Sequence, residues 1–192
     1  MACNKERFEK VEASKVTARI YESLPVRVWD EWLTEARGHV FRVPLNGQGA
    51  AMDLTPGTMR TPPVDLGGGM DLSLSSDGKW VAFTANQTKN VAWNTNNDVF
   101  LVPSAGGAIQ NITKSNEGVD ANPAFSPDGK SLAFWSMARP GFEADKKVLK
   151  IYDVQSGKTN ALADKQDRSV SEYAWSANGQ TIVFAADDVG KS

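Results

Sequence analysis

The sequence predicts an all-β fold built from the four-stranded antiparallel blades of a β-propeller. Three stretches with nearly the same pattern carry the prediction: SSDGKWVAFT (75–84), SPDGKSLAFW (126–135) and SANGQTIVFA (176–185). Their glycines, Gly78, Gly129 and Gly179, are separated by 51 and then by 50 residues. A constant period of this size is the signature of a propeller, because each repeat is one unit that buries its apolar faces against its neighbours.

Each repeat reads as four strands joined by short turns. The first two strands flank an Asp-Gly or Asn-Gly pair, which is expected to form a two-residue hairpin with positive φ. The second strand is apolar on both faces, as expected for sheets that stack face to face. The third and fourth strands flank a second glycine turn, and this half of the unit recurs at 39–55, 99–113 and 150–163. Four antiparallel strands in this order form a propeller blade.

The repeat divides residues 1–192 into a partial propeller of about three blades. The segments in order are a short helical preface (1–24), a partial blade (25–57), two complete blades (70–118 and 119–168) and a second partial blade (169–192). A closed propeller has four to eight blades, so this pattern predicts an arc with open strand edges. The partial blades are complementary halves, and we expect two copies to form a homodimer by pairing them.

Composition excludes several classes of function. The net charge of −2 gives no reason to expect a nucleic acid or an anionic membrane as partner, and no apolar run approaches the length needed to cross a bilayer. The N-terminal MACNKERFEK has no apolar core and is not a signal peptide. Asp128-Gly129-Lys130 lacks the spaced oxygen ligands of a calcium loop, so no metal site and no cofactor are expected.

Four longer segments are more specific than the repeated turn: SLPVRVWDEW (23–32), HVFRVPLNGQGAAMDLTPG (39–57), NPAFSPDGKSLAFWSMARPGFEADK (122–146) and DRSVSEYAWSANGQTIVFAADDVGKS (167–192). Together they resemble an internal piece of the propeller of prolyl oligopeptidase family serine peptidases, in the dipeptidyl-peptidase-V and acylaminoacyl-peptidase branch. The WDEW and ARPGFEADK segments are the most specific. The SPDGK turn is also similar to TolB-like periplasmic propellers.

The resemblance implies a propeller that covers an α/β-hydrolase domain with a Ser-His-Asp triad that cleaves peptides. This sequence has no G-x-S-x-G motif, and its single histidine, His39, stands at the head of a predicted strand. No catalytic residue is therefore assigned to this chain. The hydrolase domain of a parent serine peptidase and a peptide substrate are the expected partners. The sequence leaves the compartment open, and the resemblance implies a bacterial periplasmic or secreted parent.

The best candidate for substrate binding is ARPGFEADK (138–146), which interrupts a blade between its second and third strands. It combines Arg139, Phe142, Glu143 and Asp145. The resemblance implies that propeller carboxylates hold the free α-amino group of the substrate, and a carboxylate facing an ammonium penalises substrates that lack this charge. The alternative is a solvated or internally paired loop, for example one in which Arg139 pairs with Glu143.

A second candidate group is Trp29, Asp30 and Trp32. These tryptophans either pack between blades or form an aromatic wall of the substrate tunnel.

Two functions remain open at this point. The first is a non-catalytic propeller segment of a serine peptidase, which gates the active site and orients the peptide. The alternative is a stand-alone TolB-like module that binds a protein partner. A G-x-S-x-G domain farther along the same gene would favour the first.

Overall fold

The structure is a computed structural model that describes residues 2–28, 30–34, 36–63 and 71–188. One α-helix, one 3-10 helix and fourteen strands lie in these residues. The helix α1 spans Ala2–Glu12, and the 3-10 helix spans Val91–Trp93. The strands are β1 (Arg27–Val28), β2 (Glu31–Trp32), β3 (Phe41–Arg42), β4 (Met52–Asp53), β5 (Leu72–Leu74), β6 (Trp80–Ala85), β7 (Asp98–Pro103), β8 (Gln110–Asn111), β9 (Asp120–Phe125), β10 (Ser131–Ser136), β11 (Val148–Asp153), β12 (Thr159–Leu162), β13 (Tyr173–Trp175) and β14 (Ile182–Phe184).

The strands form two complete antiparallel sheets and three small ones. Strands β5 to β8 make one four-stranded sheet in sequence order, and β9 to β12 make the other. The described parts of β1–β2, β3–β4 and β13–β14 are two-stranded. This architecture confirms the all-β, propeller-like fold with a short N-terminal helix. The exact blade boundaries stay predictions, and those at 70 and 192 lie outside the described residues.

Helix α1 is polar and exposed. Ion pairs between residues four apart, Glu6 with Lys10 at 3.0 Å and Lys5 with Glu9 at 3.8 Å, support it from its own surface. Within the described residues, no helix has the length and apolar character needed to span a lipid bilayer.

Each repeated turn is held by a serine and an acidic or amide side chain. Ser126 Oγ donates to Asp128 Oδ1 at 2.6 Å and accepts the backbone N–H of Ser131 at 3.0 Å. The same Asp128 oxygen accepts the N–H of Lys130 at 3.1 Å. These hydrogen bonds, the serine bond first, lower the pKa of Asp128 below its usual value.

The other two copies of the turn repeat this arrangement. Ser75 bonds to Asp77 at 2.7 Å, and Ser176 bonds to Asn178 at 2.7 Å. In the first copy, the bonds from the serine and from the Lys79 backbone lower the pKa of Asp77 to about 2. The repeated serine is therefore part of the turn, a role that its residue type does not indicate.

The turn glycines have the predicted positive φ, 70° at Gly78, 70° at Gly129 and 69° at Gly179. The prediction of a two-residue hairpin was wrong. Such a hairpin needs a positive φ at the residue before the glycine as well, and that residue has a negative φ in all three turns. Among the described non-glycine residues, only Asn122 and Ala163 have a positive φ. In the second copy, a Gly129 N–H to Ser126 C=O bond closes a β-turn, and glycine follows in the left-handed region.

Apolar clusters fill the spaces between successive sheets. The cluster between the two complete sheets contains Ala82, Val99, Leu101, Phe125, Leu132, Phe134 and Tyr152. Strands β6 and β10 are buried on both faces, as predicted. The third copy differs, because Val183 on β14 is 70 % exposed. Its strand packs on one side only, against Leu149 of the preceding sheet and Val170 of the connection between β12 and β13.

Hydrogen bonds also join the first strand of each sheet, which we call its inner strand, to the first strand of the next sheet. The residues involved occupy the same position in each repeat. Asp71, Asn122 and Tyr173 follow one another at intervals of 51 residues. The backbone N–H of Asn122 donates to Asp71 Oδ1 at 2.8 Å, and the Tyr173 hydroxyl donates to the carbonyl of Asn122. A second bond from the Tyr173 hydroxyl reaches the carbonyl of Ala133 at 3.0 Å. Three consecutive units are thus linked through their first strands.

Substitution of Gly129 by valine should destabilise the chain by about 1–3 kcal/mol, because a side chain there must adopt a left-handed φ. A Cβ at this position would also lie 3.2 Å from Ser76 Oγ of the preceding turn. Gly78→Val is the matched control, since Gly78 has the same φ and no atom within 4 Å of the added Cβ. Denaturant unfolding should show loss in both variants and the larger loss in Gly129→Val. Unchanged stability in both would contradict the strain argument.

The homodimer stays a prediction, and the structure gives it a specific test. Among the described strands, β3 and β14 each have one hydrogen-bonded neighbour, so their outer edges are available for pairing. Val183→Lys places a charge on the exposed face of β14 and should shift the mass measured by light scattering from two chains to one. Leu162→Lys, on β12 of a complete sheet, should leave the mass unchanged. A wild-type chain that is monomeric would contradict the dimer.

Candidate functional site

The predicted substrate-binding loop connects β10 to β11 and includes residues 137–147. The equivalent connection of the preceding sheet, residues 86–97, joins β6 to β7 and lies at the same end. The two loops are in direct contact, since the backbone N–H of Gly141 donates to Thr95 Oγ1 at 3.0 Å. The candidate loop is therefore positioned by two sheets.

Asp145 holds the candidate loop closed. Its Oδ2 accepts the backbone N–H groups of Ala138 at 3.0 Å and Arg139 at 2.8 Å. Its Oδ1 accepts the Arg139 side chain through Nε at 2.8 Å and Nη2 at 2.7 Å. The Arg139 side chain, with the backbone donors, lowers the pKa of Asp145 to about 2. Asp145 thus serves the loop itself, and the internal pair is Arg139–Asp145, not Arg139–Glu143.

The same arginine orients Phe142. The Arg139 guanidinium carbon lies 4.1 Å from the centre of the Phe142 ring, a distance at which a cation and an aromatic face attract each other. Phe142 remains 42 % exposed. The loop therefore presents a partly exposed aromatic ring that packs against the guanidinium of the Arg139–Asp145 ion pair.

Glu143 lines a cavity of about 270 Å³ between the second complete sheet and the residues around β13 and β14. Its other lining residues are Met137, Ala144, Asp145, Lys147, Ser169, Val170, Ser171 and Asp187. Within the described part of the chain, Glu143 and Asp187 form no hydrogen bond or ion pair. By contrast, the neighbouring Asp188 is bonded to Arg168. Two carboxylates that are unpaired among the described residues therefore line one cavity together with Lys147, whose Nζ lies 4.6 Å from the centre of the Trp135 ring.

Asp187 is a residue that the sequence analysis missed. It follows β14 as the candidate loop follows β10, and it stands eight residues after Gly179, as Met137 stands eight residues after Gly129. Applying the repeat to the loops as well as to the strands would have indicated it.

The second candidate group is not joined to this loop by any described contact. Trp29 lies outside the described residues, and Asp30 is exposed in the turn between β1 and β2. Trp32 is 49 % exposed, stacks on Tyr21 at 6.0 Å and lies under Arg19 at 5.5 Å. Trp32 is therefore half-exposed and is not buried between blades.

A larger cavity, of about 360 Å³, is located between the first complete sheet and residues 56–59. It is lined by Pro56, Thr58, Met59, Gln87, Phe100, Ile109, Asn111 and Lys114. Among the described residues no carboxylate lines it, so the described lining does not suit an ammonium group. In the described residues, no cluster of His, Cys, Asp and Glu is arranged to hold a metal ion.

Asp120 lies below the candidate loop at the start of β9. Its residue is fully buried, its Oδ2 accepts Asn116 Nδ2 at 3.0 Å, and its Oδ1 has no partner among the described residues. Burial raises the pKa of Asp120 to about 6, against the opposing effect of hydrogen bonds from Ser136 and Asn116. Asn116 Nδ2 also donates to the Met137 carbonyl at 2.9 Å, which ties this network to the base of the loop.

Comparisons with known proteins bear on the family and the fold of the chain. No protein-family model matches the chain. The probable dipeptidyl-peptidase 5 of Emericella nidulans is 34 % identical over 200 residues, which cover 95 % of this chain and 28 % of that protein. The dipeptidyl-peptidase 5 of Aspergillus fumigatus is 32 % identical over 206 residues, which cover 96 % and 29 %. Dipeptidyl-peptidase 5 proteins are homologues of this chain.

The dipeptidyl-peptidase 5 relatives are much longer, and the chain spans less than a third of each. Solved structures confirm the fold. TolB from Acinetobacter baumannii has a TM-score of 0.52 at 21 % identity and covers 77 % of this chain, which spans 31 % of it. The tricorn protease also has a TM-score of 0.52, at 15 % identity, and covers 73 % of this chain, which spans 12 % of it. The chain is thus a peptidase-associated propeller homologous to part of dipeptidyl-peptidase 5.

Asp120→Asn should change how stability depends on pH. The pKa of Asp120 is raised in the folded state, so the protonated carboxyl stabilises the fold. This contribution is complete below about pH 3.8, the usual pKa of the group, and is lost as the pH rises through about 6. Relative to the variant, the wild type should lose about 1–3 kcal/mol of unfolding free energy between pH 4 and pH 8. Other carboxyls are present in both proteins and cancel. Parallel pH profiles in denaturant unfolding would contradict the assignment.

Proposed function

We propose that this chain is the propeller part of a prolyl oligopeptidase family serine peptidase, where it limits access to the active site and orients the N-terminus of a peptide. Homology to dipeptidyl-peptidase 5 supports the peptidase association. The observation that carries the proposal is the cavity beside the candidate loop, where Glu143 and Asp187 are unpaired among the described residues.

An α-ammonium group fits this cavity for electrostatic reasons. A carboxylate that forms no ion pair gains most from an incoming ammonium, because the new ion pair replaces hydration and no older pair must break. Lys147 lines the same cavity, but among the described residues its ammonium lies over the Trp135 ring and forms no ion pair with either carboxylate. The nearby Asp145 and Asp188 already bind Arg139 and Arg168. Their charge is compensated, so Glu143 and Asp187 are the carboxylates to which we assign the peptide amine. A peptide with a blocked N-terminus would leave them unpaired and would be rejected.

Orientation of the peptide requires a fixed loop. Asp145 accepts three hydrogen bonds and forms an ion pair with Arg139 within the loop, and Gly141 ties the loop to the neighbouring connection. A site held this way loses little conformational freedom when a peptide binds. Access control follows from the propeller lying over the peptidase domain of the parent, which we include in the proposal.

Glu143→Gln and Asp187→Asn should each weaken binding of a free-amine tripeptide amide by about three- to tenfold, the range for a charged hydrogen bond at a partly exposed site. The measurement is a titration of the 192-residue chain followed by NMR. Asp188→Asn is the matched control, because Asp188 pairs with Arg168 and does not line the cavity. Wild-type chain should bind the acetylated peptide as weakly as the variants bind the free amine. Equal binding of acetylated and free peptides would overturn the ammonium site.

A further inference from the structure

Two arginines cross between the connections that flank the two-stranded sheet β3–β4. Arg37 lies in the connection before β3, and its Nη1 donates to the carbonyl of Thr58 after β4. Arg60 lies in the connection after β4, and its Nη2 donates to the carbonyl of Ala36 before β3 at 3.2 Å. The two side chains thus join the same two connections in opposite directions, and we call Arg37 and Arg60 the arginine pair.

The backbones of the two connections are also in direct contact beside the arginine pair. The Thr61 N–H donates to the carbonyl of Gly38 at 3.0 Å. A Cβ at Gly38 would lie 2.7 Å from the carbonyl oxygen of Thr61, so only glycine allows this close approach. The backbone therefore holds the two connections together independently of the arginine side chains.

The arginine pair brings two like charges together. Arg60 is half-buried, and its pKa is lowered by burial and then by the positive charge of Arg37. Two other arginines of the fold, Arg139 and Arg168, each bind a carboxylate. Among the described residues, neither arginine of the pair forms an ion pair with an acidic side chain. The whole chain has a net charge of −2, so the pair is a local exception on an acidic protein.

Most of the donors of the arginine pair are unused. A guanidinium has five N–H donors in a planar fork, and the described contacts occupy one nitrogen of each arginine. Two parallel N–H groups of such a fork match two oxygens of a carboxylate or a phosphate. A phosphate monoester carries a charge of about −1.5 to −2 at pH 7 and three acceptor oxygens, so one group can offset both cations. A carboxylate offers one charge and two oxygens.

We propose that the arginine pair binds a phosphate group, which bridges the connection before β3 and the connection after β4. This site goes beyond the proposed function, because neither arginine lines the cavity assigned to the peptide amine. Strands β3 and β4 have only two residues each, so their sheet has few ladder hydrogen bonds of its own. A bound phosphate adds a link across its end and stabilises the folded chain by mass action.

The test is a titration of the ¹⁵N-labelled 192-residue chain with inorganic phosphate near neutral pH. Sodium chloride keeps the ionic strength constant, because screening alone changes the interactions of exposed charges. The backbone amide signals of Gly38 and Thr61 report on the site and should shift until they saturate. Acetate should bind about three- to tenfold more weakly, since it carries a single charge. Glycerol 3-phosphate, titrated in parallel, shows by its relative affinity whether the site prefers a phosphate ester or the free ion.

Arg37→Gln and Arg60→Gln should each weaken phosphate binding by about three- to tenfold, because each removes one of the two cations. Arg37→Lys and Arg60→Lys keep the charge and should also weaken binding, because an ammonium cannot donate two parallel bonds. Arg42→Gln is the matched control, since Arg42 is a single exposed arginine on β3. It should keep the full affinity. Thermal unfolding without phosphate checks that each variant is folded.

The other outcomes overturn the phosphate site. Shifts that do not saturate, or that sodium chloride alone reproduces, leave no specific binding. Phosphate affinity that survives in both Arg37→Gln and Arg60→Gln places the anion elsewhere. Wild-type affinity in both lysine variants removes the guanidinium fork as the basis of recognition. An equal loss in Arg42→Gln reduces the effect to overall surface charge. None of these results bears on the ammonium site, which the peptide titrations test separately.

Discussion

The arrangement of the sheets depends on the hydrogen bonds that join each inner strand to the next. Asn122 uses both backbone groups for it, because its N–H donates to Asp71 Oδ1 and its carbonyl accepts the Tyr173 hydroxyl. Its φ of 59° bends β9 so that both groups leave the sheet, a conformation that asparagine tolerates better than most residues. The Tyr173 hydroxyl is buried with these carbonyls, and burial raises its pKa further above the usual value for tyrosine. Each sheet is therefore fixed to its neighbours by specific polar bonds as well as by apolar packing.

The repeat made the fold predictable, because it records several constraints at once. A glycine that must take a left-handed φ and a second strand buried on both faces recur at one period, so Gly129 and the strand after it were identified correctly. Hydrogen bonds between side chains are harder to recognise in the sequence. The serine of each turn repeats as regularly as the glycine, yet nothing in its type distinguishes a turn-closing hydroxyl from a solvated one. The exposure of Val183 was also not predictable, because an apolar strand reads the same whether it has neighbours on one face or on two.

The candidate site was predictable as a region and not as a set of roles. An insertion rich in charge between two strands indicated the loop, but pairing among its charges depends on geometry within a few ångströms. Arg139 is closer in sequence to Glu143 than to Asp145, and only the fold shows that Asp145 lies under the loop and binds the guanidinium. Asp187 is far from the loop in sequence and reaches the cavity because two sheets meet there. The carboxylates left unpaired are thus a product of tertiary structure.

The proposed site belongs to no single sheet, and this gives the linkage between sheets a functional meaning. Glu143 is carried by the second complete sheet and Asp187 by the segment after β14. Their separation depends on the angles between successive sheets, which local loop structure cannot correct. The bonds at Asn122 and Tyr173 set these angles near the inner strands, while Asn116 and Gly141 link the loops at the site's end. A small rotation at an inner strand would be enlarged at the loops, so the proposed ammonium site requires the rigid contact between inner strands described above.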